Sequence, residues 1–216
     1  MRRARGFTLI ELLIVIAIVG TLAVMIMANW GTMKSYTQRA ATLSNMRQIG
    51  VGFYSYASDH DTRLPRRVSG DTNTSDKWPR LLNDYLEDTR VYAAVGDRSN
   101  HIFRGADPLS NQRNHTSYIM NGYNDIGAFT NEAVEVRLTQ LEKPASVILL
   151  GTPKSGSTHF YMDMLEGQHG NHADVLNLEL YGKGSCYLFA DGSARFLTKA
   201  AYDHRLWLVN KDFVVP

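Results

Sequence analysis

The stretch from Gly6 to Ala28 constrains this chain more than any other, because it is a long apolar run with one charge, Glu11. The 22 residues that follow Gly6 would span roughly 33 Å as an α-helix, enough to cross a bilayer core of about 30 Å. Three arginines precede the run, and the positive-inside rule then keeps the N-terminus in the cytoplasm and sends the rest outward. The sequence therefore predicts a single-pass membrane helix over residues 7–28.

Glu11 needs an explanation of its own. A carboxylate inside an apolar helix costs about 2.5–3.5 kcal/mol on insertion scales, so it is rare without a partner. A free amine close to this carboxylate would neutralise it. The alternative is a plain membrane anchor that tolerates a Glu near the interface. An ordinary signal peptide does not fit, because the apolar run is too long and no Ala-x-Ala site follows it.

The basic residues followed by Gly6-Phe7-Thr8-Leu9-Ile10-Glu11 resemble the cleavage and N-methylation site of type IV pilins and type II secretion pseudopilins. This resemblance implies a prepilin peptidase and methyltransferase that cuts after Gly6 and methylates Phe7. It implies that Glu11 meets the N-terminal amine of a neighbouring subunit during filament assembly. Other pseudopilin subunits, an inner-membrane assembly platform and membrane lipid are the further partners that it implies.

Composition favours one globular domain behind the anchor. A chain of 216 residues, 44% hydrophobic and 20% charged, suits a folded domain of about 150–190 residues plus the helix. Loss of the leader would leave 20 basic against 21 acidic residues, a formal charge of −1, so no nucleic-acid partner is expected. The single cysteine, Cys186, excludes an intramolecular disulfide. We expect a leader (1–6), a membrane and filament-core helix (7–28) and a globular domain (29–216) that begins with a continuing helix (29–60).

The helix is predicted to run from Phe7 to about Ser58, because no proline interrupts residues 29–60 and apolar residues recur at steps of three and four. The residues of this stripe are Met33, Tyr36, Ala40, Leu43, Met46, Ile49, Phe53 and Ala57. A short helix is expected over Trp78–Leu86, with strands near Tyr118–Tyr123 and Val147–Leu150. Alternating apolar residues on both sides of Asp191-Gly192 predict a hairpin with a two-residue turn.

Later motifs extend the resemblance along most of the chain. Asn45–Ile49, Leu64-Pro65, Trp78, Ser117–Asn121 and Phe189–Gly192 resemble features of pseudopilin-like proteins that carry a C-terminal His-x9-Asp-Gly pattern. The resemblance implies an α+β, pilin-like fold in which the long helix packs on an antiparallel sheet, and a structural subunit rather than an enzyme. The spacing departs from the pattern, since 18 residues separate His172 from Asp191, and we interpret Lys154–Gly184 as a long inserted loop.

Metal binding is not expected, although one cluster is a weak candidate. Asn121, Asn124 and Asp125 place oxygen donors near Gly122, and some major pseudopilins, which the chain resembles, bind calcium on a comparable face. The spacing does not fit an EF-hand, and the preference of these residues for turns explains them more simply. We therefore predict no metal and no cofactor.

The predicted function is a pseudopilin of type II secretion or a related filament, held in the bacterial inner membrane with its globular domain outside the cytoplasm. One alternative is a type IV pilin that binds a surface or DNA, which an exposed patch of Arg63, Arg66 and Arg67 would favour. The other is a membrane-anchored enzyme that uses the loop from His159 to Asp174. That loop also holds His169 and His172, and the enzyme would require its histidines and carboxylate to converge.

Overall fold

The computed structural model describes residues 7–67, 77–97, 116–125, 135–155, 157, 160–162 and 172–209. The chain divides into two compact units, Met1–Thr37 and Gln38–Pro216. The sequence-based boundary lies earlier, at residue 28. The predicted leader, residues 1–6, lies outside the described residues.

The long helix α1 extends from Leu9 to Asp59, within two residues of the predicted bounds. Its end is marked by two non-glycine residues in left-handed conformation, Asp61 (φ 54°) and Thr62 (φ 61°). The amide of Thr62 donates to Ala57 O at 2.8 Å, and such a backward bond satisfies a carbonyl that the helix leaves open. Pro65 then prevents the helix from resuming.

Five short strands form one sheet in the second unit, in the order β3-β1-β2-β4-β5. They are β1 (Ile119–Asn121), β2 (Ile148–Gly151), β3 (Tyr161–Met162), β4 (Gly184–Phe189) and β5 (Ala194–Thr198). The predicted α+β, pilin-like class is confirmed. The sheet is antiparallel except that β3 pairs with β1 in parallel. The segment interpreted as an inserted loop thus supplies an edge strand, together with the short helix α3 (His172–Val175).

Both faces of the sheet are covered by apolar side chains. Met46, Ile49 and Phe53 of α1 lie in one buried cluster together with Met120 and Leu188 of the sheet. Gly50 allows this close packing, because a Cβ there would stand 3.1 Å from a methyl carbon of Leu188. The other cluster contains Ile119, Ile148, Tyr187, Phe189 and Trp207. Trp207 comes from a short 3-10 helix, His204–Trp207.

The predicted apolar stripe of α1 packs against the core only from Leu43 onward, since Ala40 is exposed. Met46, Ile49 and Phe53 are fully buried, whereas Met33 and Tyr36 are each 60% exposed. Met33 and Tyr36 belong to the first unit, and the periodicity alone does not show where the packed part of the stripe begins.

The β4–β5 hairpin forms where the sequence predicts it, but its turn differs. Phe189 N donates to Ser193 O, and Gly192 N donates to Phe189 O, both at 2.9 Å. These bonds enclose three residues rather than two, and only Gly192 (φ 80°) is left-handed. This is a type I turn followed by a glycine bulge, which is the usual form of a three-residue hairpin loop.

The predicted helix at Trp78–Leu86 is shorter than expected. The α-helix α2 spans Trp78–Leu81, with a proline in its first turn, and the chain continues as a 3-10 helix, Asn83–Tyr85. Leu82 is buried and Tyr85 is partly buried against the same core, so this segment packs through an apolar face although it is not one continuous helix.

Candidate functional site

The start of α1 is closed by a reciprocal set of hydrogen bonds between Thr8 and Glu11. The Thr8 amide donates to Glu11 Oε2 at 2.8 Å, and the Thr8 hydroxyl donates to the same oxygen at 2.7 Å. The Glu11 amide donates in turn to Thr8 Oγ1 at 3.3 Å. Thr8 is thus the N-cap and Glu11 the third helical residue of a capping box, which satisfies backbone groups that a helix start otherwise leaves open.

This cap gives the Glu11 carboxylate a partner within its own chain. Both bonds from Thr8 end on Oε2, and among the described residues no bond is made to Oε1. An ionised carboxylate has about four acceptor positions, so the arrangement leaves acceptor capacity for a second donor.

Thr8 is a residue of this site that the sequence analysis missed. The signal was present, because Thr8-Leu9-Ile10-Glu11 is a Ser/Thr-x-x-Glu capping pattern directly before an apolar run. Phe7 is 71% exposed, while Gly6 lies outside the described residues. The structure thus brings Thr8 and Glu11 together, next to the residue that cleavage would make the new N-terminus.

The helix behind this cap exposes its apolar side chains. By its length and composition, α1 is the one helix among the described residues that could cross a membrane, and none of its most apolar window is buried. Thr21, Asn29 and Thr37 donate their side-chain hydrogen bonds back to Ile18 O, Met25 O and Met33 O, at 2.8, 3.0 and 3.1 Å. Because these donors are satisfied within the helix, they are compatible with lipid around the apolar run that ends at Ala28.

Two of the three calcium candidates, Asn121 and Asn124, make hydrogen bonds within the protein. Asn121 Nδ2 donates to Trp207 O and Ile148 O, both at 2.8 Å, and its Oδ1 accepts from Tyr123 N. Asn124 Nδ2 donates to Trp207 O at 3.2 Å, and its Oδ1 accepts from Val209 N at 2.7 Å. Both amides are buried, and together they bind the backbone of Trp207 and Val209. The side chain of Asp125 is outside the described part.

Most of the loop from His159 to Asp174 lies outside the described residues. His159 and His169 lie outside them, as does the side chain of His172, and Asp174 is exposed. No group of three or more metal-binding side chains occurs in the part of the chain that the structure describes. Cys186 is buried and donates to Arg39 O at 3.9 Å, and burial raises the pKa of its thiol to about 12. Such a thiol is not a nucleophile at neutral pH.

The arginines of the DNA-binding alternative do not form one exposed patch. Arg63 pairs with Glu135 at 2.9 Å, and Arg67 is only 4% exposed. A cleft of about 290 Å³ lies beside Arg63 at the end of α1 and is also lined by Asp61. Asp61 pairs with Arg137 at 2.8 Å, so both salt bridges offset charge around the cleft.

Comparison with known proteins agrees with this geometry. The family described as "Prokaryotic N-terminal methylation motif" matches residues 1–27, which include the cap and most of the exposed apolar run. The type IV major pilin protein PilA of Myxococcus xanthus (strain DK1622) is 35% identical over 95 residues, 44% of this chain and 40% of that protein. This chain thus matches less than half of its relative's length. No solved structure matches. This chain is therefore similar to the type IV pilin-like family, which includes the pseudopilins. The similarity rests on the methylation motif, the capped and exposed apolar helix and the α+β domain.

Proposed function

We propose that this chain is a structural subunit of a pilus-like filament, made as a membrane-inserted precursor, cut after Gly6 and N-methylated at Phe7. The observation that carries the proposal is the position of the Thr8–Glu11 cap at the head of an apolar helix surface that no described residue covers. A surface of this kind needs lipid before assembly and neighbouring helices afterwards. The methylation motif at residues 1–27 supports the same role.

Glu11 has two tasks in this proposal. Oε2 caps its own helix through Thr8, and Oε1 receives the N-terminal amine of Phe7 from a neighbouring subunit. An ion pair at this position sets the register between helices, because a mismatched register leaves a carboxylate and an ammonium without partners in apolar surroundings. The prepilin peptidase, the other subunits and the inner-membrane assembly platform are the partners that this role requires.

Within this role we favour a pseudopilin of type II secretion or a related system, with the N-terminus in the cytoplasm and the second unit outside it. The motifs that resemble those of pseudopilin-like proteins, Phe189–Gly192 in particular, support a pseudopilin. A type IV pilin that acts as a binding module stays the alternative. The pairing of Arg63 and the burial of Arg67 do not favour DNA as its ligand. The proteins encoded next to this chain would distinguish secretion, pilus and competence systems.

Mass spectrometry of the mature protein tests the processing step. In a host with an active prepilin peptidase, the first residue should be Phe7 carrying one methyl group. Gly6→Val should leave the precursor uncut, because a branched side chain would crowd the peptidase cleft next to the scissile bond. If the chain without the Gly6→Val substitution kept its original N-terminus in the same host, that result would contradict the proposal.

A further inference from the structure

The turn that follows β1 holds two adjacent residues in left-handed backbone conformation. Tyr123 has φ 55° and Asn124 has φ 64°. Asn adopts this region with modest cost, but a bulky aromatic residue there is an outlier. Strained backbone of this kind persists only where the surroundings determine it from several directions, and it concentrates in segments that switch.

One set of restraining contacts comes from the C-terminal strap, which we define as residues 202–209. Asn124 donates to Trp207 O at 3.2 Å and accepts from Val209 N at 2.7 Å. Asn121 also donates to Trp207 O and accepts from Tyr123 N. The left-handed turn therefore presents the Asn124 amide to the strap backbone.

The strap itself is held by side chains rather than by strand pairing. Trp207 is fully buried and lies so close to Gly151 that a Cβ there would stand 3.0 Å from the indole. Trp207 Nε1 donates to Tyr202 OH at 3.0 Å, and the Tyr202 ring stacks on Tyr187. None of the strap residues belongs to a strand of the described sheet. An element fastened in this way can open locally without unzipping the sheet.

The second set of contacts connects the same turn to the post-helix segment, residues 62–65. Tyr123 OH donates to Pro65 O at 3.1 Å. The segment is held by Leu64 N bonding to Val136 O at 2.8 Å and by Leu138 N bonding to Thr62 O at 2.9 Å. It follows directly on α1. The strained turn therefore contacts the strap through Asn124 and the end of the long helix through Tyr123.

We propose that docking of the strap and seating of the post-helix segment are energetically coupled through the turn at Tyr123 and Asn124. Release of the strap removes both bonds that Asn124 makes to it, and the turn then relaxes toward negative φ. The direction of the Tyr123 side chain depends on its own backbone angles, so relaxation withdraws the hydroxyl from Pro65. Coupling of this kind is reciprocal, so loosening the post-helix segment also loosens the strap. This device is independent of the proposed filament role.

Amide hydrogen exchange of the full-length chain in detergent micelles tests the coupling. Tyr202→Phe removes one strap contact that does not touch the turn. It should raise exchange at Val209 by about fivefold, the effect of one lost hydrogen bond, and raise exchange at Leu64 and Leu138 in the same direction. Tyr123→Phe removes only the hydroxyl bonded to Pro65 and should raise exchange at Val209 as well as at Leu64.

Tyr85→Phe is the matched control, because its hydroxyl donates to Asp59 Oδ2 at 3.2 Å, near the end of α1 but away from the turn. It should leave Val209 unchanged. Asn124→Gly keeps left-handed angles accessible but removes both bonds of this side chain to the strap. The bonds of Asn121 still join the strap to the turn, so in that background Tyr202→Phe should raise exchange at Leu64 by less than it does in the parent. Faster exchange at Val209 in Tyr202→Phe with Leu64 and Leu138 unchanged would overturn the proposal. Exchange that rises evenly over β4 and β5, or a response of Leu64 that is undiminished in the Asn124→Gly background, would also overturn it.

Discussion

Substitution of Glu11 by Gln separates the two tasks proposed for this residue. A glutamine at the third helical position still accepts the bonds from Thr8, since Ser/Thr-x-x-Gln is a capping box as well. It carries no charge and cannot neutralise the amine of a neighbouring Phe7. Glu11→Leu removes both the cap partner and the charge, and Thr8→Ala weakens the cap while it keeps the charge.

The free energies contributed by the helix cap and by the ion pair between subunits differ enough to be distinguished. Loss of an N-cap costs about 1 kcal/mol, and exchange of a charged for a neutral acceptor in the bonds from Thr8 costs about the same. Either loss frays the first turn of a helix that extends from Leu9 to Asp59. Removal of one partner from an ion pair in apolar surroundings costs about 3–5 kcal/mol, at least about a hundredfold for each subunit contact. The ion pair therefore dominates the expected effect on assembly.

Two measurements on each variant distinguish an effect on membrane insertion from an effect on filament assembly. The abundance of the cleaved form in the membrane fraction reports insertion and processing, and electron microscopy of sheared filaments reports assembly. We expect Glu11→Gln and Glu11→Leu to be inserted and cleaved at least as well as the parent but to form no filaments. Thr8→Ala should still form filaments, in reduced number.

Normal filaments from Glu11→Gln would refute the reasoning, because they would show that capping is the whole role of Glu11. A plain membrane anchor would show no difference between any of these variants and the parent. Loss of the protein from the membrane in Glu11→Leu would contradict the insertion cost assigned to the carboxylate.

Three further predictions concern the second unit, all tested on the full-length chain in detergent. Gly192→Val should lower the free energy of unfolding by at least about 1 kcal/mol, or the melting temperature by at least about 2 °C, since φ is 80° and a Cβ would stand 3.1 Å from the Tyr54 ring. Gly182→Val is its control, because φ there is 88° with no atom within 4 Å; an equal loss in both variants would assign the effect to backbone strain alone. Cys186 should react with thiol reagents only on unfolding, and rapid labelling of the folded chain at pH 8 would contradict its burial. Micromolar calcium should leave the melting temperature unchanged, whereas a rise of many degrees would point first to Asn121 and Asn124.

The predictable part of the candidate site was encoded locally. The apolar run, the basic residues before it and the Gly6-to-Glu11 motif are contiguous in the sequence, so a candidate membrane helix and the candidate site could be predicted from them. The capping role of Thr8 was equally local, three residues from Glu11, and a search for the capping pattern would have found it. The pairing of Glu11 with another subunit involves a second chain and stays a prediction.

Elements whose signals lie within a few residues could be predicted before the fold was known. The bounds of α1 follow from an uninterrupted helical run and a terminal proline, and the β4–β5 hairpin follows from alternation around Asp191-Gly192. The turn length was missed because the same dipeptide suits both a two-residue loop and a three-residue loop with a bulge. The difference depends on which backbone groups pair across the hairpin.

The roles of residues whose partners are distant in sequence became visible only in the folded domain. Asn121 and Trp207 are 86 positions apart, and no local pattern shows that an Asn-rich turn bonds to a C-terminal strap. The strand β3 has two residues, too few for a period, and it exists because β1 offers it a free edge. Side-chain amides and short strands take their function from the groups that folding places beside them, and that placement depends on the whole domain.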